Sequence, residues 1–445
     1  MEPFTLPQFV SPLIDRLETA GFPTYAVGGC VRDMLLGLAP QDYDLCTAAL
    51  PEQTEALFAD YDLVLAGKKH GTVGVITPEG VVEITTFRTE GGYGDNRHPD
   101  WVKFVPDVRE DLARRDFTVN AMAWSPSRGF ADPFGGQADL QAGILRAVGD
   151  PATRFREDSL RILRGIRFAV RYQLQPEPET RRAMEQLAHL MDNLARERVF
   201  DELCKLLPLV NARDLLSCGP ILAAVIPEIK PMLGFDQHSP HHAYDLFTHT
   251  AFVVENTPRQ LCLRWAALLH DTGKVPTFTQ DENGRGHFYG HAKESAAFAD
   301  AILRRLKAPT ALREEVVTLI ELHMTKLEAT KKVLRRWLSR LGRPTLDKLL
   351  ALQKADMISK GVDVTRELPQ FSNLQTILDE IDAENACLSL KDLAVKGNDL
   401  MAMGITGKAI GLCLNQLLDL VLDEQLPNEK EALLSFILQN KENLL

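Results

Sequence analysis

Short runs rich in β-branched and aromatic residues punctuate the first 140 positions, at 23–30, 63–66, 73–77, 81–87 and 101–105, with Gly, Pro or charged turns between them. Such runs predict strands, and together they predict a small mixed sheet with flanking helices. From residue 151 the pattern changes. Leu160, Leu163, Ile166 and Val170 recur at helical spacing, and strand-like alternation nearly vanishes through to Leu445. The expected fold class is an α/β head followed by an elongated all-α remainder. Pro- and Gly-rich punctuation at 175–179, 227–231 and 281–290, with Pro344, marks breaks among the helices. The expected divisions are the head at 1–140, a helical neck and body at 141–225, a further helical domain at 226–360 and a helical tail at 361–445.

A chain of 445 residues exceeds what one hydrophobic core holds, and 45% hydrophobic content is enough for several. The longest apolar runs, ILAAVI at 221–226 and LLDLVL at 417–422, are far shorter than a membrane span, and MEPFTLPQFVSPLIDRLE lacks the basic-then-apolar order of a signal peptide. A cytoplasmic protein with no membrane partner is expected. Seven scattered cysteines, none in a CxxC pair, read as reduced thiols. The net charge of −11 taken alone argues against a nucleic-acid partner, because phosphate binding rests on Lys and Arg. Its distribution points the other way. Six arginines stand against Glu157 and Asp158 in residues 151–173, and seven basic residues against Glu328 alone in 326–343. These are local basic patches on an acidic body.

The first chemistry-bearing stretch is VGGCVRDMLLGLAPQDYDLC, residues 27–46. Val27 closes a predicted strand, Gly28 and Gly29 let the backbone approach a ligand, and a helix starting near Val31 offers free amides to phosphate oxygens. Arg32 is then placed to clamp a triphosphate. If 41–46 is a strand, Asp42 and Asp44 project to one face, where two carboxylates repel unless a cation lies between them. Two Mg²⁺ ions roughly 3.5–4 Å apart would satisfy both and hold a nucleoside triphosphate for in-line attack by a hydroxyl. The alternative is a solvated pair of acids after a plain strand-to-helix turn.

The order GGCVRD, DYD, GKKHGTVGV (67–75), VEITTFR (82–88), RRDFTVNAMA (114–123), DPFGG (132–136) and EDSLRILRGIRFA (157–169) resembles class II tRNA nucleotidyltransferases, the CCA-adding enzymes, and their bacterial poly(A) polymerase relatives. The resemblance runs continuously through about the first two hundred residues. It implies a nucleotidyltransferase head with Asp42 and Asp44 catalytic and Mg²⁺-binding, and tRNA, CTP and ATP, not DNA, as partners. Gly28, Gly29 and Arg32 then face nucleotide. Arg115, Asp116 and Asn120 suit triphosphate and ribose contacts through a guanidinium fork, a carboxylate and an amide, the alternative being a salt-bridged helix start. DPFGG resembles the family's flexible connection between head and neck. Residues 91–105 match the mobile loop that family members need for the final adenosine, which argues against an enzyme adding C alone.

On one helix, Asp158 and Arg161 lie three apart and share a face. Against a base edge the carboxylate would accept from an exocyclic amine while the guanidinium donates to the neighbouring ring nitrogen. Cytosine and adenine offer that pattern. Uracil and guanine offer the reverse and would leave groups unpaired at about 1–3 kcal/mol each. Arg161, Arg164 and Arg167 continue as a basic stripe with Arg171, and in the resemblance the first three map onto nucleotide-binding positions. An intrahelical ion pair and a solvated face are the plainer alternatives.

A second constellation comprises His249, the pair His270-Asp271 closing LCLRWAALLHD, His291, His323 and Asp356. Imidazoles and carboxylates at helix ends suit one or two divalent metals, and a metal-bound water attacks phosphate esters. The order resembles the HD superfamily of metal-dependent phosphohydrolases, with Ni²⁺, Co²⁺ or Mn²⁺ expected there and 226–360 as its domain. The basic stretch 326–343 and GITGKAIG (404–411), with the tail at 361–445, are the expected tRNA contacts, a simple inter-helix turn being the alternative for GITGKAIG.

The leading expectation is template-independent CCA addition by two-metal nucleotidyl transfer, with a possible phosphodiesterase or phosphatase activity. An A-adding enzyme or poly(A) polymerase is the nearest rival, and an HD phosphohydrolase with an RNA-binding head the rival of another class. The role of Glu83 as a third carboxylate stays open.

Overall fold

The computed structural model describes residues 5–91 and 101–440. The chain divides into two compact units, 1–210 with 217–230, and 211–216 with 231–445.

The first unit opens with helix α1 (Ser11–Thr19), whose Leu13, Ile14 and Leu17 are buried. Strand β1 (Thr24–Val27), helix α2 (Gly29–Leu35), strand β2 (Asp44–Thr47) and helix α3 (Pro51–Leu57) follow, with β3 (Leu63–Val64), β4 (Thr72–Thr77) and β5 (Gly80–Thr86). A hairpin of β6 (Arg88–Gly91) and β7 (Trp101–Phe104) precedes α4 (Val108–Ala113), and β8 (Ala123–Ser125) and β9 (Gly129–Ala131) complete the strands of interest. The sheet runs β3-β4-β5-β2-β1-β8-β9. Only β2 with β5 pairs in parallel, placing Asp44 opposite Glu83. The five strand positions expected from the sequence are present, and β2 begins at Asp44, so Asp42 precedes it on irregular backbone. The loop expected at 91–105 has its ends in the β6–β7 hairpin, while 92–100 lie outside the described residues.

Helix α5 (Gly136–Ala142) starts where the DPFGG block was expected to hinge. Both Asp132 carboxylate oxygens accept backbone N–H groups, from Gly136 at 2.7 Å and Gln137 at 2.9 Å. A Cβ at Gly136 would meet the Thr118 carbonyl at 2.1 Å, so glycine here serves close packing. The block is a capped helix start.

Helices α6 (Pro151–Glu157) and α7 (Leu160–Tyr172) follow. Pro151 at the first turn and the Asp150 side chain accepting from Thr153 N start α6. Asp158 ends it in extended conformation (φ −142°, ψ 102°). The expectation that Asp158 and Arg161 share one helix face is therefore corrected: Asp158 lies in the break and Arg161 one residue inside α7. Helices α8 (Pro178–Leu187), α9 (Arg196–Leu206) and α10 (Ala212–Val225) follow.

The second unit is helical from α11 (Leu246–Asn256) through α12 (Leu261–Leu269), α13 (His291–Arg305), α14 (Thr310–Leu322), α15 (Lys331–Leu341), α16 (Arg343–Ile358) and α17 (Pro369–Ala383) to α18 (Gly397–Ala402), α19 (Lys408–Leu422) and α20 (Lys430–Gln439). Its last three helices share a core that includes Leu400, Leu417, Val421, Leu433 and Ile437.

The basic stretch expected on 326–343 as an RNA surface is largely consumed by ion pairs. Lys331 meets Glu384 at 2.6 Å, Lys332 and Arg336 meet Asp423 at 3.2 and 2.6 Å, Arg335 meets Glu384 at 2.8 Å, and Arg343 meets Asp379 at 2.6 Å. Sequence-distant acids supply the counter-charge that the local count omitted.

Candidate active site

A cavity of about 510 Å³ opens in the first unit, lined among others by Gly28, Gly29, Arg32, Asp42, Asp44, Arg115, Asp116, Asn120, Asp158, Arg161, Arg164 and Arg167. All twelve head residues singled out in the sequence therefore line one space. Gly28 has φ +76°, a conformation that favours glycine, and a Cβ there would also displace the Arg115 guanidinium, 2.8 Å away.

Asp42 and Asp44 bracket Tyr43, whose ring turns aside to make an edge contact with Phe9 at 5.7 Å. The alternation expected of a strand thus holds for the carboxylates although only Asp44 is in one. Desolvation by the cavity walls pushes the Asp44 carboxyl above its ordinary range; the Arg115 charge opposes this, and the neighbouring carboxylates Glu83 and Asp42 add to it. Three acids against one guanidinium is an arrangement that a divalent cation balances, and the carboxylates present fit such an ion. Cys30, in the same wall, has its thiol pushed up to about 11 by burial and by Asp44, which leaves it neutral and inert.

Behind the carboxylates the polar groups form a chain. Arg32 donates through Nε and Nη2 to Asp33 at 2.9 and 2.8 Å, through Nη1 to Asn120 Oδ1, and through Nη2 to the Tyr172 hydroxyl at 2.5 Å. Asn120 donates to Asp116 Oδ1 at 3.0 Å, and Arg164 reaches Asp116 Oδ2 with two donors at 3.0 and 2.7 Å. Burial pushes the Asp116 carboxyl up, but Arg164 and Asn120 outweigh it and hold it down to about 2. Asp116 and Asn120, expected to touch nucleotide themselves, here spend their hydrogen bonds setting the arginines. Arg167 is likewise taken up, paired to Glu202 at 2.6 Å and stacked over Phe168. Arg115 pairs through Nη2 with the buried Asp111 at 3.4 Å, while its Nε is buried with no partner among the described residues.

Asp158 and Arg161 face the cavity from the α6–α7 break and the first turn of α7. Asp158 Oδ1 accepts from Leu160 N at 3.1 Å and Oδ2 from Arg198 at 2.9 Å, which leaves lone pairs for a further donor. Arg161 spends three of its five N–H groups on Glu157, the Arg154 carbonyl and the Arg114 carbonyl. Two stay available to an acceptor. Tyr172 and Arg198 had no sequence signal, since chain distances of 140 and 40 residues separate Tyr172 from Arg32 and Arg198 from Asp158, whereas Asp33 closes the GGCVRD block.

In the second unit the six metal-type residues converge. His249 lies within α11, His270 caps α12 with Asp271 next to it, His291 opens α13, His323 caps α14 and Asp356 is near the end of α16. His249 Nε2 is 3.0 Å from Asp356 and 3.5 Å from Asp271; His270 Nε2 is 3.1 Å, His291 Nε2 3.5 Å and His323 Nε2 3.9 Å from Asp271. Every Nδ1 faces a backbone carbonyl, of Ser359, Ala267, Phe288 and Ile320 respectively. Donation there fixes the tautomer and turns each Nε2 lone pair inward. All four Nε2 atoms are buried without a hydrogen-bond partner among the described residues. Lone pairs facing carboxylate oxygens call for a cation, and two trios sharing Asp271, with His249 and His270 or with His291 and His323, have the donor set for one each. Burial holds His323 down to about 4, in the ligating form. Lys274, which closes the AALLHDTGK stretch, approaches Asp271 to 2.7 Å.

Among the described residues no helix is long and apolar enough to cross a membrane. The family profile described as the poly A polymerase head domain matches residues 24–146, an RNA- and SrmB-binding site of polymerase A matches 173–233, and tRNA nucleotidyltransferase domain 2 matches 278–437. The chain is 32% identical over 444 residues to a CCA-adding enzyme of Streptococcus mutans, spanning 96% of this chain and 95% of that one. It is 33% identical over 436 residues to a CCA-adding enzyme of Levilactobacillus brevis, spanning 97% of each. The solved CCA-adding enzyme of Bacillus stearothermophilus, in complex with CTP, matches at a TM-score of 0.73 and 26% identity over 99% of each chain.

Proposed function

The chain belongs to the class II tRNA nucleotidyltransferases, the CCA-adding enzymes, and from that membership we propose how its residues divide the work. It adds C, C and A to the 3′ ends of tRNA, taking CTP and ATP. The terminal ribose hydroxyl of the tRNA attacks the α-phosphorus, and pyrophosphate leaves. Asp42 and Asp44 hold the divalent metal, Mg²⁺ in our reading, which when bound activates the hydroxyl and offsets charge on the triphosphate. Gly28 and Gly29 give the phosphates access to the start of α2, and Arg115, with its unspent Nε, faces them. Asp116 and Asn120 hold Arg164 and Arg32 in place for the same ligand. Asp158 accepts from the amine of C or A, and Arg161 donates to the adjacent ring nitrogen.

The observation that carries this reading is the single cavity in which Asp42 and Asp44 meet Asp158 and Arg161. Primer extension on tRNA ending at its discriminator base tests it. CTP alone should add two residues, and ATP should add one after them; absence of C incorporation overturns it in favour of an A-adding enzyme or poly(A) polymerase.

The convergent imidazoles support a second reading: a metal-dependent phosphohydrolase site of HD type within 226–360. His249, His270, Asp271, His291, His323 and Asp356 would hold one or two ions, Ni²⁺, Co²⁺ or Mn²⁺, whose Lewis acidity would activate water for attack on a phosphate ester. On this division 1–140 is the catalytic head, 141–225 the base-reading neck and body, and 361–445 the tail. Asp271→Ala should abolish phosphatase or phosphodiesterase turnover while sparing CTP incorporation. Hydrolysis unchanged in that variant would dismiss the second site.

A further inference from the structure

Arg198 lies on α9, outside every block that the sequence singles out, yet its guanidinium reaches the cavity wall. Its Nη2 donates to Asp158 Oδ2 at 2.9 Å, across 40 residues of chain. Leu160 N holds the other oxygen, so both oxygens of the base-reading carboxylate are gripped. Its Nη1 is buried with no partner among the described residues. One turn further along α9, Glu202 grips Arg167 of α7. Two ion pairs of opposite sense therefore join α9 to the base-reading segment, and Arg198 is the one that ends on a residue facing the base.

We propose that Arg198 is a positioning residue for nucleotide selection, which keeps Asp158 turned toward the base edge so that C and A are accepted and U and G rejected. The inference rests on the base-reading role given to Asp158 above. Asp158 stands in the extended break between helices, without a helix turn to restrict its side chain. A carboxylate held in place meets the carbonyl oxygen of U or G and repels it; one free to rotate yields to that carbonyl and loses the power to reject it. Removing the brace should therefore cost discrimination more than it costs rate.

The test is single-nucleotide incorporation by the full chain on tRNA ending at its discriminator base, with each of the four nucleoside triphosphates in turn. Arg198→Ala should lower the CTP-over-UTP ratio of kcat/KM at least tenfold, and Arg198→Lys should recover part of it. Arg198→Met keeps the aliphatic stem and replaces the alanine variant if that one does not fold. In an Asp158→Ala background the Arg198 change should lower the ratio no further, because its effect passes through Asp158. A ratio within twofold of wild type in Arg198→Ala or Arg198→Met, or losses that multiply in the double variant, would overturn the proposal. Failure of the wild-type chain to use CTP would instead remove the function reading and leave the Arg198–Asp158 pairing unaffected.

Discussion

Asp116 is surrounded by donors: Arg164 with two, the Asn120 amide and the backbone N–H of Phe117. Asp116→Asn removes the charge that holds Arg164, and a broken buried pair costs several kcal/mol. The Arg164 side chain is 36% exposed, so water takes up part of the loss and about 2–3 kcal/mol is expected. Denaturant unfolding measures it, and the KM for CTP and ATP should rise in parallel as Arg164 is released. Folding holds this carboxyl down to about 2 against an ordinary 3.8. Its contribution, about 2 kcal/mol, is therefore full above pH 4 and is lost as pH falls through 2. Acid titration of the Asn variant should lack that last step. At this scale the sequence was most informative where chemistry is local: Gly28 and the Asp42–Asp44 pair share the one stretch 27–46. Tyr172 and Arg198 left no trace there because only the fold brings them to Arg32 and Asp158.

At the scale of elements, hydrophobic periodicity found the sheet and the helices but not the break between α6 and α7. Leu160, Leu163 and Ile166 all lie within α7, so their spacing carries no record of the stop before it, which is made by Asp158 adopting extended backbone. Helix α15 teaches a related lesson. Its basic residues looked like an RNA surface because charge was counted along the chain, and the acids that answer them come from 379–424. Exposed pairs of this kind contribute little, so Arg336→Ala should leave the denaturant midpoint essentially unchanged. It should also leave the salt dependence of tRNA binding unchanged, since a phosphate contact would alter that slope by about 1. A filter-binding series across salt concentrations checks it.

For the whole molecule, two clusters of candidate ligands occupy two compact units, each with its own acids, and the two activities proposed for them should be separable. Asp42→Ala with Asp44→Ala should abolish CTP incorporation and leave phosphatase turnover intact, the mirror of Asp271→Ala. Chelation of divalent metal should silence both, with Mg²⁺ restoring the transferase and Ni²⁺, Co²⁺ or Mn²⁺ the hydrolase. The central claim is that side chains of one cavity, with no nucleic-acid template, choose the base. It is tested most directly by supplying the wild-type enzyme with all four nucleoside triphosphates at equal concentration and sequencing the 3′ ends it makes on tRNA lacking its terminus. The account predicts C, C and A in that order and then arrest; U or G at any of the three positions, or A alone, would contradict it.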